Sequence, residues 1–99
     1  MIDKSVIDKS IIDKSIEHYG KDIQTTVCME ECAELIQAIS KMKRNKGDLS
    51  HLTEEIADVL ICIEILKQVY KVSEYELSVW IETKQLRIAN RMRRDENAE

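Results

Sequence analysis

An all-α fold is predicted for this 99-residue chain, and three observations predict it. The sequence has no Pro, no Phe and two Gly, so it lacks most of the punctuation that strands and tight turns use. Apolar residues recur at steps of three and four over long stretches, which is the period of an amphipathic helix. Polar breaks, at Gly20, at 44–48 and at Ser73, divide the chain into segments of helical length. The length corresponds to a single domain, 1–99, with a modest core to which self-association would add burial.

The N-terminal segment repeats Ile-Asp-Lys-Ser at 2–5, 7–10 and 12–15. A period of five rotates successive copies by about 140°, so no single apolar face accumulates. Residues 1–15 therefore read as a loosely held arm extending the first helix. Its last copy, leading through Ile16 to Tyr19, is expected to dock, and Gly20 to end the helix.

The second helix is expected over about 22–43, with Cys28, Cys32, Leu35, Ile39 and Met42 on its apolar stripe. Both Cys28 and Cys32 read as small core residues, as does Cys62 in the next helix. Three cysteines, an odd number, do not suggest a disulfide framework, and no His or further Cys completes a thiolate metal site. The run from Arg44 to Asp48 has no apolar residue and holds the second Gly, so it reads as the turn, with Asp48 or Ser50 capping the third helix.

In the third helix, about 51–70, nine of the eleven residues from Ile56 to Leu66 are apolar and surround the axis. Such a helix needs partners on several sides, which points to a homodimer or homotetramer. Ser73 and Glu76 form a capping box that opens the fourth helix, about 74–94. Leu77, Trp80, Ile81 and Ile88 lie on its apolar side, and Trp80 reads as a core residue. Lys84, Arg87 and Arg91 form a basic stripe on the same helix, suited either to a solvated helix end or to phosphate.

Within this frame stand two acid clusters, Glu30-Glu31 with Glu34, and Glu55 with Asp58. A spacing of three puts Glu31 with Glu34, and Glu55 with Asp58, on one face of their helices. Gln24, two turns before Glu31, points the same way. The four acids are also placed symmetrically about residues 44 and 45, so an antiparallel hairpin folded there sets one pair against the other. Carboxylates so close repel unless protons or cations neutralise them, and hard oxygen donors favour Mg2+, Mn2+ or Ca2+ over zinc. Asp58, inside an apolar run, needs such compensation most.

Acids that require cations, together with a basic stripe, are complementary to a polyphosphate carried with its metal, and a nucleotide is the commonest such ligand. Neither a Ser-His-Asp set nor a Gly-rich phosphate loop is present. His18 and His51 have no ligand spacing and read as ordinary surface or interface residues. The net charge of −4, from 15 basic and 19 acidic residues, argues against a nucleic-acid polymer as partner. The longest apolar stretch, near 56–66, is interrupted by Asp58 and Glu64, so no membrane span or signal peptide is read and a cytoplasmic location is expected.

The residues Glu30-Glu31-x-x-Glu34, a twenty-residue interval and Glu55-x-x-Asp58 resemble the EExxE and ExxD motifs of the MazG-like, all-α nucleoside triphosphate pyrophosphohydrolases. The resemblance runs from about Ile16 to Arg94 and includes the texts EECAELIQAISKMKR and EEIADVLICIEIL. It implies a four-helix MazG-like bundle, assembled as an oligomer, whose long hairpin of helices 2 and 3 carries the acids. It further implies cleavage of a nucleoside or deoxynucleoside triphosphate between the α and β phosphates, with Mg2+, or Mn2+ in its place. By position, Glu31, Glu34, Glu55 and Asp58 are the implied metal ligands, Glu30 and Glu34 the catalytic candidates, and Gln24, Lys84, Arg87 and Arg91 the substrate contacts. Glu30 either assists water activation, binds a further ion or stands as an exposed surface residue, and base stacking is the alternative to a core role for Trp80. The pattern departs at position 88, where many relatives place Asn after the Lys; here it is Ile, and the Asn stands at 90. Two rival readings are a helical module that binds nucleotide or metal without turnover, and a di-iron carboxylate bundle. The latter needs Glu-x-x-His pairs, which neither His supplies.

Overall fold

The computed structural model describes residues 6–98, and the first copy of the repeat, at 2–5, lies outside them. Four helices follow in order: α1 (Lys9–Tyr19), α2 (Lys21–Lys43), α3 (Leu49–Tyr70) and α4 (Glu74–Asn97). There is no strand among the described residues, and the all-α expectation is met.

Asp8 opens α1, its carboxylate accepting the Ser10 N–H at 2.9 Å and the Ser10 hydroxyl at 2.7 Å. These hydrogen bonds hold the Asp8 carboxyl below its usual range. Ile7, just before this cap, packs with Ile16 onto the cluster of Ile12, Cys28, Cys62 and Ile65. Ile7 and Ile12 thus occupy the two positions of a hydrophobic staple. Part of the repeat is therefore held by packing: Ile7 lies outside the helix, so the five-residue rotation does not apply to it. Burying Ile12, only 5 % exposed, contributes about 1.5–3 kcal/mol.

Gly20 joins α1 to α2 with φ 88 and ψ 157, a region open in practice only to glycine, while its N–H closes α1 on the Ile16 carbonyl at 2.8 Å. The α2–α3 hairpin forms the body of the molecule, with α1 packed against both helices. One end of the hairpin is fixed by the Cys28 thiol, which donates to the Cys62 carbonyl at 3.7 Å. The other end is a Schellman turn: Asn45 takes φ 59, the Lys46 N–H reaches the Lys41 carbonyl at 2.9 Å, and the Asn45 N–H reaches that of Met42 at 3.1 Å. Gly47 presses on Met42, where an added Cβ would stand 2.6 Å from Sδ and 2.8 Å from the backbone nitrogen. Of the two cap candidates for α3, Asp48 serves, accepting the Ser50 N–H at 2.9 Å.

Ser73 caps α4 as the capping box predicts, accepting the Glu76 N–H at 3.2 Å. This helix has no buried residue and packs on none of the other three, so it stands away from the α1–α3 body. Its first turn is tethered through Lys67, which pairs with Glu64 at 3.0 Å and with Glu74 across the α3–α4 corner. Those hydrogen bonds, Glu74 foremost, hold the Lys67 ammonium above its usual range. The radius of gyration, 16.9 Å, exceeds the roughly 13 Å of a compact chain this long, as a projecting α4 requires. Trp80 is accordingly 53 % exposed and does not join the core expected for it, and Cys32 is exposed while Cys28 and Cys62 are buried.

Candidate active site

The hairpin register, set at its two ends, brings the acids together in the middle. One carboxylate oxygen from each of Glu31, Glu34 and Glu55 lies within 4.8 Å of the others. Asp58, half-buried on α3, stands beside Glu31 at the edge of this group. Glu30 points to solvent from the neighbouring face of α2 and is outside the cluster.

Burial of this charge has electrostatic consequences. Desolvation first, then the charge of Asp58 and that of Glu34, push the Glu31 carboxyl up to about 7, with a hydrogen bond to Asp58 and the charge of Glu55 adding to the effect. Desolvation and the charge of Glu34 likewise raise Glu55, which is only 6 % exposed, while His51 opposes the shift. With the acids ionised no group in the cluster donates a hydrogen bond, and the buried atoms Glu31 Oε2 and Glu55 Oε2 have no partner. Buried carboxylate oxygens without donors are costly, and a cation satisfies them.

These residues fit a hard divalent ion. Oxygens around Mg2+ bind at 2.0–2.1 Å and so lie about 3–4 Å apart, close to the 4.8 Å within which the three carboxylates already converge. The donors are carboxylate oxygens with no thiolate or imidazole among them, a set that suits Mg2+ or Mn2+.

His51, read from the sequence as a bystander, stands with Nε2 3.8 Å from Glu55 Oε1. Its spacing of four from Glu55 on one helix was the signal that could have found it. Gln24 is buried, 6 % exposed, but lies seven residues and so about 10 Å along α2 from Glu31, away from the acids. The basic stripe is not brought to the acids within one chain, since α4 does not touch α2. Instead Lys84 Nζ and Arg87 Cζ stand 5.7 and 5.9 Å from the Trp80 ring centroid, a cation–π arrangement in which the aromatic face is partly covered by charge. Arg91 continues the same stripe.

No helix among the described residues is long and apolar enough to cross a membrane. Neither a curated protein nor a solved structure matches the chain. The family model described as the MazG nucleotide pyrophosphohydrolase domain matches residues 22–94, from the first turn of α2 to the last turns of α4. With both acid motifs inside that match and folded against each other, the chain belongs to the MazG nucleotide pyrophosphohydrolase domain family.

Proposed function

We propose that the protein is a Mg2+-dependent pyrophosphohydrolase that cleaves a nucleoside or deoxynucleoside triphosphate between the α and β phosphates. The observation that carries this reading is the convergence of Glu31, Glu34 and Glu55, with two buried oxygens that lack any donor. Mg2+, or Mn2+ in its place, held by Glu31, Glu34, Glu55 and Asp58, supplies neutralisation of phosphate oxygens and acidification of water.

The chain's own residues supply the rest. Water adds to phosphorus, the bridging P–O bond breaks, and pyrophosphate departs with the bonding electron pair. The proton of the water goes to a carboxylate, for which the exposed Glu34 at the rim of the cluster is the proposed acceptor and Glu30 an auxiliary one. Lys84, Arg87 and Arg91 serve as counter-charges to phosphate from a second copy, because α4 does not reach the acids of its own chain. Gln24 is proposed to orient substrate from the α2 core.

A homodimer or homotetramer accords with the apolar side chains left at the surface, including Met29, Ile36, Ile61, Ile63 and Trp80, each at least 41 % exposed. A cytoplasmic location suits free cysteines and a nucleotide substrate.

Purified protein incubated with Mg2+ and a panel of nucleotides should release pyrophosphate. Glu34→Gln and Asp58→Asn should each reduce that release about 100-fold or more, with helical content unchanged by circular dichroism. Nucleotide binding without product in the wild type would favour a non-catalytic module and overturn the assignment.

A further inference from the structure

The mirror arrangement of the hairpin continues past the acids. Starting from the Cys28–Cys62 contact, the seam passes Glu31 with Asp58 and Glu34 with Glu55, then reaches Ala38 with His51 and Lys41 with Asp48. Steps of three and four keep Glu31, Glu34, Ala38 and Lys41 on one face of α2, and Asp48, His51, Glu55 and Asp58 on the facing side of α3. The acids and the hairpin end therefore lie on one line, with Lys41 about 10 Å along the axis from Glu34.

At that end the seam opens into a cavity of about 410 Å3 lined by Ala38, Lys41, Lys46, Gly47, Asp48 and His51. Ala38, 3 % exposed, closes the floor of this cavity on the α2 side, one turn beyond Glu34 on the same face. Two full positive charges line the cavity, and among the described residues neither Lys41 nor Lys46 forms an ion pair. The opposing carboxylate, Asp48, is engaged as the helix cap on the Ser50 N–H. Both lysines are fixed at the backbone by the same turn, since the Lys46 N–H bonds to the Lys41 carbonyl at 2.9 Å and Gly47 is pressed onto Met42. Unpaired cations on the same seam as the acid cluster match a ligand that carries negative charge over several ångströms.

We propose that the Lys41–Lys46 pocket is an anion subsite that holds the terminal phosphates of the substrate, the part that leaves as pyrophosphate. This rests on the pyrophosphohydrolase reading and adds to it the direction in which the substrate lies. The terminal phosphates point toward the hairpin turn, and the nucleoside end points the opposite way along the seam. It also gives a chain-length preference, because a monophosphate spanning the acids does not extend to the lysines.

The test is calorimetric titration of the full chain with sodium pyrophosphate in the presence of Mg2+. Lys41→Gln/Lys46→Gln should weaken pyrophosphate binding at least 10-fold, Lys41→Arg/Lys46→Arg should restore it to within about 3-fold, and the control pair Lys14→Gln/Lys71→Gln should leave it within 2-fold. The KM for a hydrolysed triphosphate should rise in parallel, and affinity for the monophosphate product should not follow. Equal pyrophosphate affinity in the Gln pair and the control pair overturns the subsite, as does the absence of pyrophosphate binding in the wild type. Should the wild type hydrolyse no nucleotide, the activity falls, while the calorimetric comparison still decides the pocket.

Discussion

Glu31 is the acid whose environment predicts the most measurable behaviour. Its carboxyl is pushed from 4.5 to about 7 by desolvation, by Asp58 and by Glu34. A carboxylate must be deprotonated to bind a cation, so affinity follows its ionised fraction. With a pKa of about 7 that fraction is about one tenth at pH 6, one half at pH 7 and nine tenths at pH 8. Apparent Mg2+ affinity should therefore rise about 9-fold from pH 6 to pH 8 and level off above, whereas a glutamate at its ordinary value would give an almost flat profile. Titration calorimetry with Mg2+ at three pH values and constant ionic strength reads this directly, and Glu31→Gln should lose the pH-dependent component together with much of the affinity. The metal-free protein should show the opposite trend. Because the folded-state value lies above the unfolded one, the folded state binds more protons between about 4.5 and 7, so stability falls as pH rises through that window. Melting temperature without metal should decline from pH 5 to pH 8, and added Mg2+ should raise it more at pH 8 than at pH 6. A wild-type Mg2+ affinity that is the same at pH 6 and pH 8 would refute the crowding of charge around Glu31.

Three further outcomes follow from local geometry. Gly47→Ala places a Cβ 2.6 Å from Met42 Sδ and 2.8 Å from its backbone nitrogen, so urea unfolding should show a loss of about 1–3 kcal/mol. Lys71 ends α3 in the left-handed region at φ 53, and Lys71→Gly should gain about 1 kcal/mol in the same assay. Iodoacetamide at neutral pH should modify Cys32 in the native protein, while Cys28 and Cys62 react only after unfolding. Burial covers both of the latter and pushes the Cys62 thiol up to about 12, and peptide mass spectrometry reads the adducts.

Elements whose physics is local were legible in the sequence. The 3.6-residue period placed α2, α3 and α4 to within one to three residues, and the Ser73 capping box and the Gly20 boundary stand where they were expected. The symmetric spacing of the acids was enough to place Glu31, Glu34 and Glu55 together, because an antiparallel hairpin leaves little freedom once its turn is known. What was not legible depends on contacts between elements. Trp80 and Cys32 carry core-like patterns but lie at the surface, since a pattern says that a face is apolar and not what covers it. Ile7 packs through the staple at the α1 cap, a geometry that the repeat period does not describe. His51 lies outside every ligand and catalytic pattern in the sequence, and only the helix, which sets it one turn from Glu55, brings it to the acids.

Acids do not gather by themselves, so something else must hold the cluster closed. Glu31 and Glu55 have buried oxygens without donors, and desolvation and the neighbouring carboxylates raise the proton affinity of both. The forces that oppose this repulsion lie on either side of the acids along the seam. On one side is the apolar cluster of Ile12, Cys28, Cys62 and Ile65, where each buried isoleucine contributes about 1.5–3 kcal/mol. On the other is the Schellman turn, tightened by the Gly47 contact with Met42. The acids occupy the middle of a beam clamped at both ends, which positions them before any cation arrives. Preorganisation of this kind ties site geometry to residues that touch neither metal nor substrate. Loosening the turn at Gly47 should therefore weaken Mg2+ binding as well as stability, although position 47 lies outside the acid cluster.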